Sequence, residues 1–395
     1  MNRHFAVPVL ILLAACGGRT DHANAPTIDT LPGGIIRVAN HGPTEWTDTN
    51  GWKLVLERTI ASVDSTPGQL NNPGGLVADS RGRIFVLDTR PALIKVYGPD
   101  GLFAGTIGRE GSGPGEFQPG GTLTISRDTL VLHDSRQTRT QSFTGDGALL
   151  RGWRSLCCWQ LPVLADDSGR TPVPGTIRPD STGKVFLAGV GFIRYRANGS
   201  IVDTVILPPR PERKMWRAEA DGNTTIWSVP LTAGQQGTFD RAGHYVWGNQ
   251  DRYAIVISRN GLDTARLFSA STPGVPIPDS IRTDRLKQVL KSNPAMKPVA
   301  KLGDIPVNYP LWTAISVDGD GNYWVLRPGP HSDGDVWDVF TADGTLLGAV
   351  PAPFHDISRS YWTRDRVYNL DDDEATGAQA IKVYRIERHS NTKQD

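Results

Sequence analysis

The chain has 395 residues, and its 42 Lys and Arg balance 41 Asp and Glu, so no charge excess draws it to a phosphate backbone and nucleic acid is not expected as a partner. Its 43 glycines and 29 prolines are many for a helical protein and suit short strands joined by turns.

Asn2, Arg3 and His4 precede a short apolar core over 5–13, which ends in the run Leu13-Ala14-Ala15-Cys16. A core this short cannot span a bilayer and fits an export signal. Leu-Ala-Ala-Cys resembles a bacterial lipobox, which implies that 1–16 is a lipoprotein signal and that Cys16 becomes the lipidated first residue. Each buried methylene of an acyl chain contributes about 0.8 kcal/mol to membrane binding. The expected product is an exported protein anchored by lipid in the bacterial cell envelope, at the outer membrane or in the periplasm. The anchor is its only expected contact with the membrane. Residues 17–45, rich in Gly, Pro, Thr and Asp, read as a flexible spacer.

The next stretch, 70–119, holds four short apolar runs at 75–78, 83–87, 93–97 and 102–107, each too short for a stable helix and bounded by turn residues. Four antiparallel strands are expected. Ser80-Arg81-Gly82 and Pro99-Asp100-Gly101 place glycine where a tight hairpin needs positive φ. The residues Pro73, Asp79, Gly82, Val86, Asp88, Ile94, Tyr97, Asp100, Gly101, Gly108, Gly111, Pro114, Gly115 and Phe117 carry a pattern that resembles an NHL repeat, the blade unit of a family of six-bladed β-propellers. The match is strong over this unit and fades over the others. It implies a fold, and it leaves function open because propellers host unrelated activities.

Repetition supports the same architecture. The turn ending in Gly101 recurs at Gly147, Gly199, Gly261 and Gly344, and the turn ending in Gly82 recurs at 180–183, 240–243 and 318–321. A sixth unit begins at Tyr361 and reaches 381–386 without a fourth strand. The run 52–60, WKLVLERTI, has no partner in its own neighbourhood. The expected fold is therefore an all-β, six-bladed propeller of four-stranded antiparallel blades over 46–390, closed by this N-terminal strand in the last blade. The competing reading is that 52–60 covers an outer edge.

Two segments break the repeat. Residues 156–175 hold Cys157-Cys158-Trp159 and read as a loop between blades two and three. With Cys16 lipidated, Cys157 and Cys158 are an even pair in an oxidising compartment, either a vicinal disulfide or two free thiols, with a redox or gating role as the sharper alternative. Residues 278–305 read as a helical insertion between blades four and five, capped by Asp279 or Ser280, that decorates the rim or covers a binding site.

Hairpins alternate between the two ends of a blade, so loops after second and fourth strands share one face. That face is long, polar and Gly-rich, and it collects Arg90, His133, Arg136, Arg252, Arg327, His331 and His355 as candidate ligand-binding residues. Some NHL-like propellers are enzymes: peptidylglycine-amidating lyases use histidine-bound zinc, and gluconolactonase-type propellers hold calcium through Asp, Asn and Glu. Here no two of the three histidines share a ligand spacing, and Asp79 and Asp88 are better explained as turn and strand-end residues bonded to backbone amides. No nucleophile elbow, phosphate loop or HExxH occurs. The expected function is a monomeric binding module for a protein, peptide or glycan, with no catalytic residues, no bound metal and no cofactor. The alternative is a zinc- or calcium-dependent propeller enzyme, amidating-lyase-like or a lactone hydrolase. The 11 tryptophans are expected chiefly between blades.

Overall fold

The computed structural model describes residues 25–41, 44, 46, 50–61, 68–155, 165–176, 190–196, 198–220, 222–329, 334–354, 356–373 and 376–388. It is a ring of six antiparallel sheets. Blade one is formed by Pro73–Ala78, Ile84–Thr89, Ala92–Tyr97 and Phe103–Ile107 in sequential order. Blades two, four and five repeat this order from Thr122, Gln235 and Ala314 onward. Blade three shows three strands among the described residues, Thr171–Thr176, Val190–Tyr195 and Ile201–Ile206.

The ring forms because side chains alternate across each strand and both faces of every sheet are apolar. In Ile84–Thr89, Phe85 and Leu87 pack towards blade two against Leu123, Leu130 and Phe143, while Ile84 and Val86 pack towards blade six against Tyr368, Ile381 and Val383. One sheet cannot bury both faces, and two neighbours do. Truncating wholly buried Phe85 to alanine would cost about 3–5 kcal/mol. Between blades five and six the filler is aromatic: Trp324, Trp337 and Trp362 form one cluster with Phe354 and Tyr384. The expectation of tryptophan between blades holds there, whereas Trp216 is buried in a separate satellite core and Trp227 is partly exposed.

The ring closes with strands from both ends of the chain. Lys53–Ala61 pairs antiparallel with Gln379–Glu387, matching Ile60 to Ile381 and Leu54 to Ile386, so it completes blade six as expected. The repeated turn glycines are also where the sequence places them, with φ from 77° at Gly199 to 95° at Gly344. Gly261 has a second constraint, since a Cβ there would lie 1.6 Å from the Ile206 carbonyl oxygen.

Three expectations are corrected. The spacer expected over 17–45 contains a hairpin, Thr27–Leu31 with Ile35–Ala39. Its second strand runs parallel to Arg266–Ser269, Val38 enters the core between blades four and five, and the Asn40 side chain donates to the Ser269 and Gly344 carbonyls at 3.0 and 2.9 Å. The hairpin covers the outer edge of blade four, the service once considered for 52–60.

The second correction concerns register. The blade-three turn expected at 180–183 lies outside the described residues, and the turn bonds form at 166–169 instead. There the Asp166 carboxylate accepts from the Arg170 amide at 2.9 Å and the chain enters Thr171–Thr176. Much of the loop expected over 156–175 is therefore turn and strand.

The third concerns the insertion. A helix occupies Asp279–Ser292, but Pro278 takes the cap position without a side-chain bond, and Asp279 instead accepts from Arg282 at 2.7 Å. The helix packs through Val289 onto Met296, Ile305 and Trp216, on the hairpin Met215–Ala220 with Asn223–Ser228 that precedes blade four. The two inserts share a satellite core at the rim.

Candidate functional site

The described inner strands, in blades one, two, four, five and six, start at one end of the ring and turn back at the other. Their leading halves, among them 74–77, 121–124, 235–238 and 313–317, surround a cavity of about 650 Å³ on the loop-rich face. Its wall mixes Leu76, Leu123, Phe192 and Ile315 with the hydroxyls and amides of Thr122, Gln235, Gln236 and Ser316. Two connectors between blades reach in. The one after blade three brings Leu207 and Arg210, and the one after blade five brings Asp356, Ile357 and Ser358.

Local chemistry holds these connectors. The Asp356 carboxylate accepts from the Ser358 amide at 3.0 Å, capping the short helix Ile357–Arg359, and the Asn369 side chain donates to the Asp356 carbonyl at 3.1 Å. The Gln235 amide donates to the Pro209 carbonyl at 3.1 Å, one residue before Arg210. Arg210 is the cation at this wall among the described residues. Burial pushes the Tyr245 hydroxyl up to about 12, and the Arg210 charge opposes that rise.

A second cavity lies at the opposite mouth of the ring, where the hairpin turns after the inner strands converge. Tyr361, on the inner strand of blade six, lines both cavities and marks the boundary between them.

The residues expected to bind ligand do not gather here. Arg90, Arg136 and Arg252 are exposed loop residues, and none lines either axial cavity. Arg327 is committed to Asp338 at 2.7 Å, which also accepts from the Tyr253 hydroxyl at 2.6 Å. His133 is buried inside blade two, 4% exposed, with Nδ1 3.1 Å from both the Thr140 and Ser155 hydroxyls and Nε2 without a partner. Burial holds its pKa below the ordinary imidazole value, and the nearby Asp134 carboxylate pulls the other way. His331, His355, Cys16, Cys157 and Cys158 lie outside the described residues.

Asp79 and Asp88 behave as the turn chemistry requires. Asp79 accepts from the Arg81 and Arg83 amides at 3.0 and 2.8 Å, and Asp88 accepts from the Asn71 and Asn72 amides at 2.9 Å each while pairing with buried Lys95 at 2.9 Å.

The sequence signal that would have found the cavity is positional. The inner strand of each blade borders the axis, so Gln235 was discoverable from the repeat register, whereas Arg210 and Asp356 sit on connectors between blades that the repeat does not mark.

No protein-family model matches the chain, and no curated protein matches its sequence. Solved structures similar to it include a protein of Bacteroides fragilis named for its expected export, at 15% identity and TM-score 0.47, covering 89% of this chain and 99% of that one. A DUF4221 family member from Bacteroides vulgatus is similar at 12% identity and TM-score 0.48, covering 86% and 99%. A catalytically inactive virginiamycin B lyase from Staphylococcus aureus with quinupristin is similar at 12% identity and TM-score 0.42, covering 85% and 100%.

Proposed function

We propose that this protein is an exported propeller, tethered to the cell envelope through Cys16, that binds a peptide or glycan segment in the loop-side axial cavity. The observation that carries the reading is the wall of that cavity. Roughly balanced apolar and hydrogen-bonding surface, with one guanidinium at the rim, suits a ligand that offers both hydrophobic groups and carbonyl or hydroxyl oxygens. The rigid ring supplies the scaffold and the connectors between blades supply the selectivity. The N-terminal run of 5–16 supports export and tethering.

The test is a binding screen of short peptides and oligosaccharides against the purified protein, followed by Arg210→Ala and Gln235→Ala. Each substitution is expected to weaken the best ligand about tenfold, the scale of one lost polar contact. A ligand indifferent to both changes sinks the assignment to this cavity. Stoichiometric zinc or calcium on the purified protein would favour the lyase or lactonase reading.

A further inference from the structure

The opposite mouth of the ring is a cavity of about 670 Å³ built from the hairpin turns of all six blades. These turns are bolted to one another. The Asp128 carboxylate of blade two accepts from both the amide and the hydroxyl of Ser80 in blade one. Arg127 Nε donates to the Asp167 carbonyl of blade three at 2.9 Å, and the Asp167 amide donates to the Arg241 carbonyl of blade four at 2.9 Å. Arg241 then reaches across to the Asp318 and Trp362 carbonyls at 3.3 and 2.7 Å. The mouth is preorganised before any ligand arrives.

Its charges do not cancel. Asp79 and Asp166 line the cavity but are neutralised by Arg83 and Arg170, at 2.7 and 2.5 Å, which do not line it. Arg366 is shared between Asp365 at 2.6 Å and Glu57, which does not line the cavity, at 2.8 Å, and Arg364 is paired with Asp320 at 3.0 Å. Among the described residues four guanidinium groups remain, Arg58, Arg81, Arg127 and Arg241, against the carboxylates of Asp128 and Asp167 and the part of Asp365 that Arg366 leaves unneutralised. Donor capacity is also left over. Arg58 Nε is buried without a partner, and the Arg81 side chain has none among the described residues.

One further feature points to this mouth. In blades one, three, four and five the corresponding turns place Gly82, Gly169, Gly243 and Gly321 at positive φ, but blade two uses Arg127 at 47° and Asp128 at 60°. A non-glycine residue in the left-handed region is costly, and strain of this kind collects at functional sites. Here it keeps a guanidinium at the rim.

We propose that this turn-side vestibule binds a small oxyanion, a carboxylate or phosphate group, seated over the Arg241 guanidinium and the Tyr361 hydroxyl with Arg58, Arg81 and Arg127 around it. Planar, always charged donors suit such a group better than a compact ammonium would, because their forks match paired oxygens. The cavity is distinct from the loop-side one, so a peptide or glycan bound there leaves this site unaccounted for.

Calorimetric titration of the purified protein with inorganic phosphate and, separately, with succinate tests the proposal at low ionic strength. Saturable binding of at least one of them, with a dissociation constant of about 1 mM or tighter, is expected. Arg81→Glu breaks no side-chain bond among the described residues and is expected to weaken it at least about tenfold. Arg127→Gly, which removes a donor and relieves the left-handed strain, is expected to weaken it severalfold without lowering the thermal midpoint. Arg210→Ala in the other cavity is expected to leave it unchanged. The proposal falls if neither anion binds saturably, or if binding survives both Arg81→Glu and Arg127→Gly undiminished.

Discussion

His133 illustrates how a residue chosen for its chemistry turns out to serve packing. Its ring is enclosed by the Thr140 and Ser155 hydroxyls, with Nε2 unpartnered, so charging it would bury a cation that the nearby Asp134 carboxylate only partly offsets. The folded pKa is therefore depressed below 6.5, chiefly by burial. Between the folded and unfolded values the unfolded chain binds more protons, so the stability contribution is fully present above about 6.5 and is lost as pH falls through the folded value. Thermal midpoints measured in steps from about pH 8 to pH 5 should decline for the wild type, and the decline should be shallower in His133→Gln. An identical pH slope in the variant would show that another group is responsible.

At the scale of elements, the strand Lys53–Ala61 is the piece whose removal is most informative. It pairs with Gln379–Glu387 from Ala380 to Glu387 and packs Ile60 onto the core shared by blades one and six. A chain starting at 62 would expose that strand as an edge and leave blade six with three strands. Its thermal midpoint should drop by about 5 °C or more and its tendency to aggregate should rise, since even a few kcal/mol moves the midpoint of a chain this size by several degrees. Adding the 50–61 peptide should recover part of the lost midpoint, the remainder belonging to the hairpin over 27–39 that the same truncation removes. An unchanged midpoint in the truncated chain would mean that the closure adds little to stability.

For the whole molecule, the blades and the satellite core are expected to differ in stability. The helix Asp279–Ser292 buries only Val289 fully, whereas all six residues of Ile84–Thr89 are buried. Local opening is governed by how much apolar contact an element shares with its neighbours. Hydrogen exchange should therefore release the amides of 279–292 well before those of 84–97, by about tenfold or more in rate. Equal protection in the two segments would show that the satellite opens only with the ring.

Local rules determined much of this structure from the sequence alone. Short apolar runs bounded by turn residues marked the strands of blade one, and the need for positive φ located the turns at Gly101, Gly147, Gly199, Gly261 and Gly344, because both signals act over a few neighbouring residues. The unpartnered run at 52–60 revealed the closing strand for the same reason: an apolar strand must find a ladder somewhere. Other features depended on packing between distant segments. Residues 166–169 and 180–183 are both chemically able to turn, and the pairing of Thr171–Thr176 with Val190–Tyr195 decides for the first. The hairpin over 27–39 looks like a spacer until the outer edge of blade four is there to receive it. The two axial cavities arise from residues of six blades scattered along the chain, and only closure of the ring brings Arg81, Arg127 and Arg241 to one mouth.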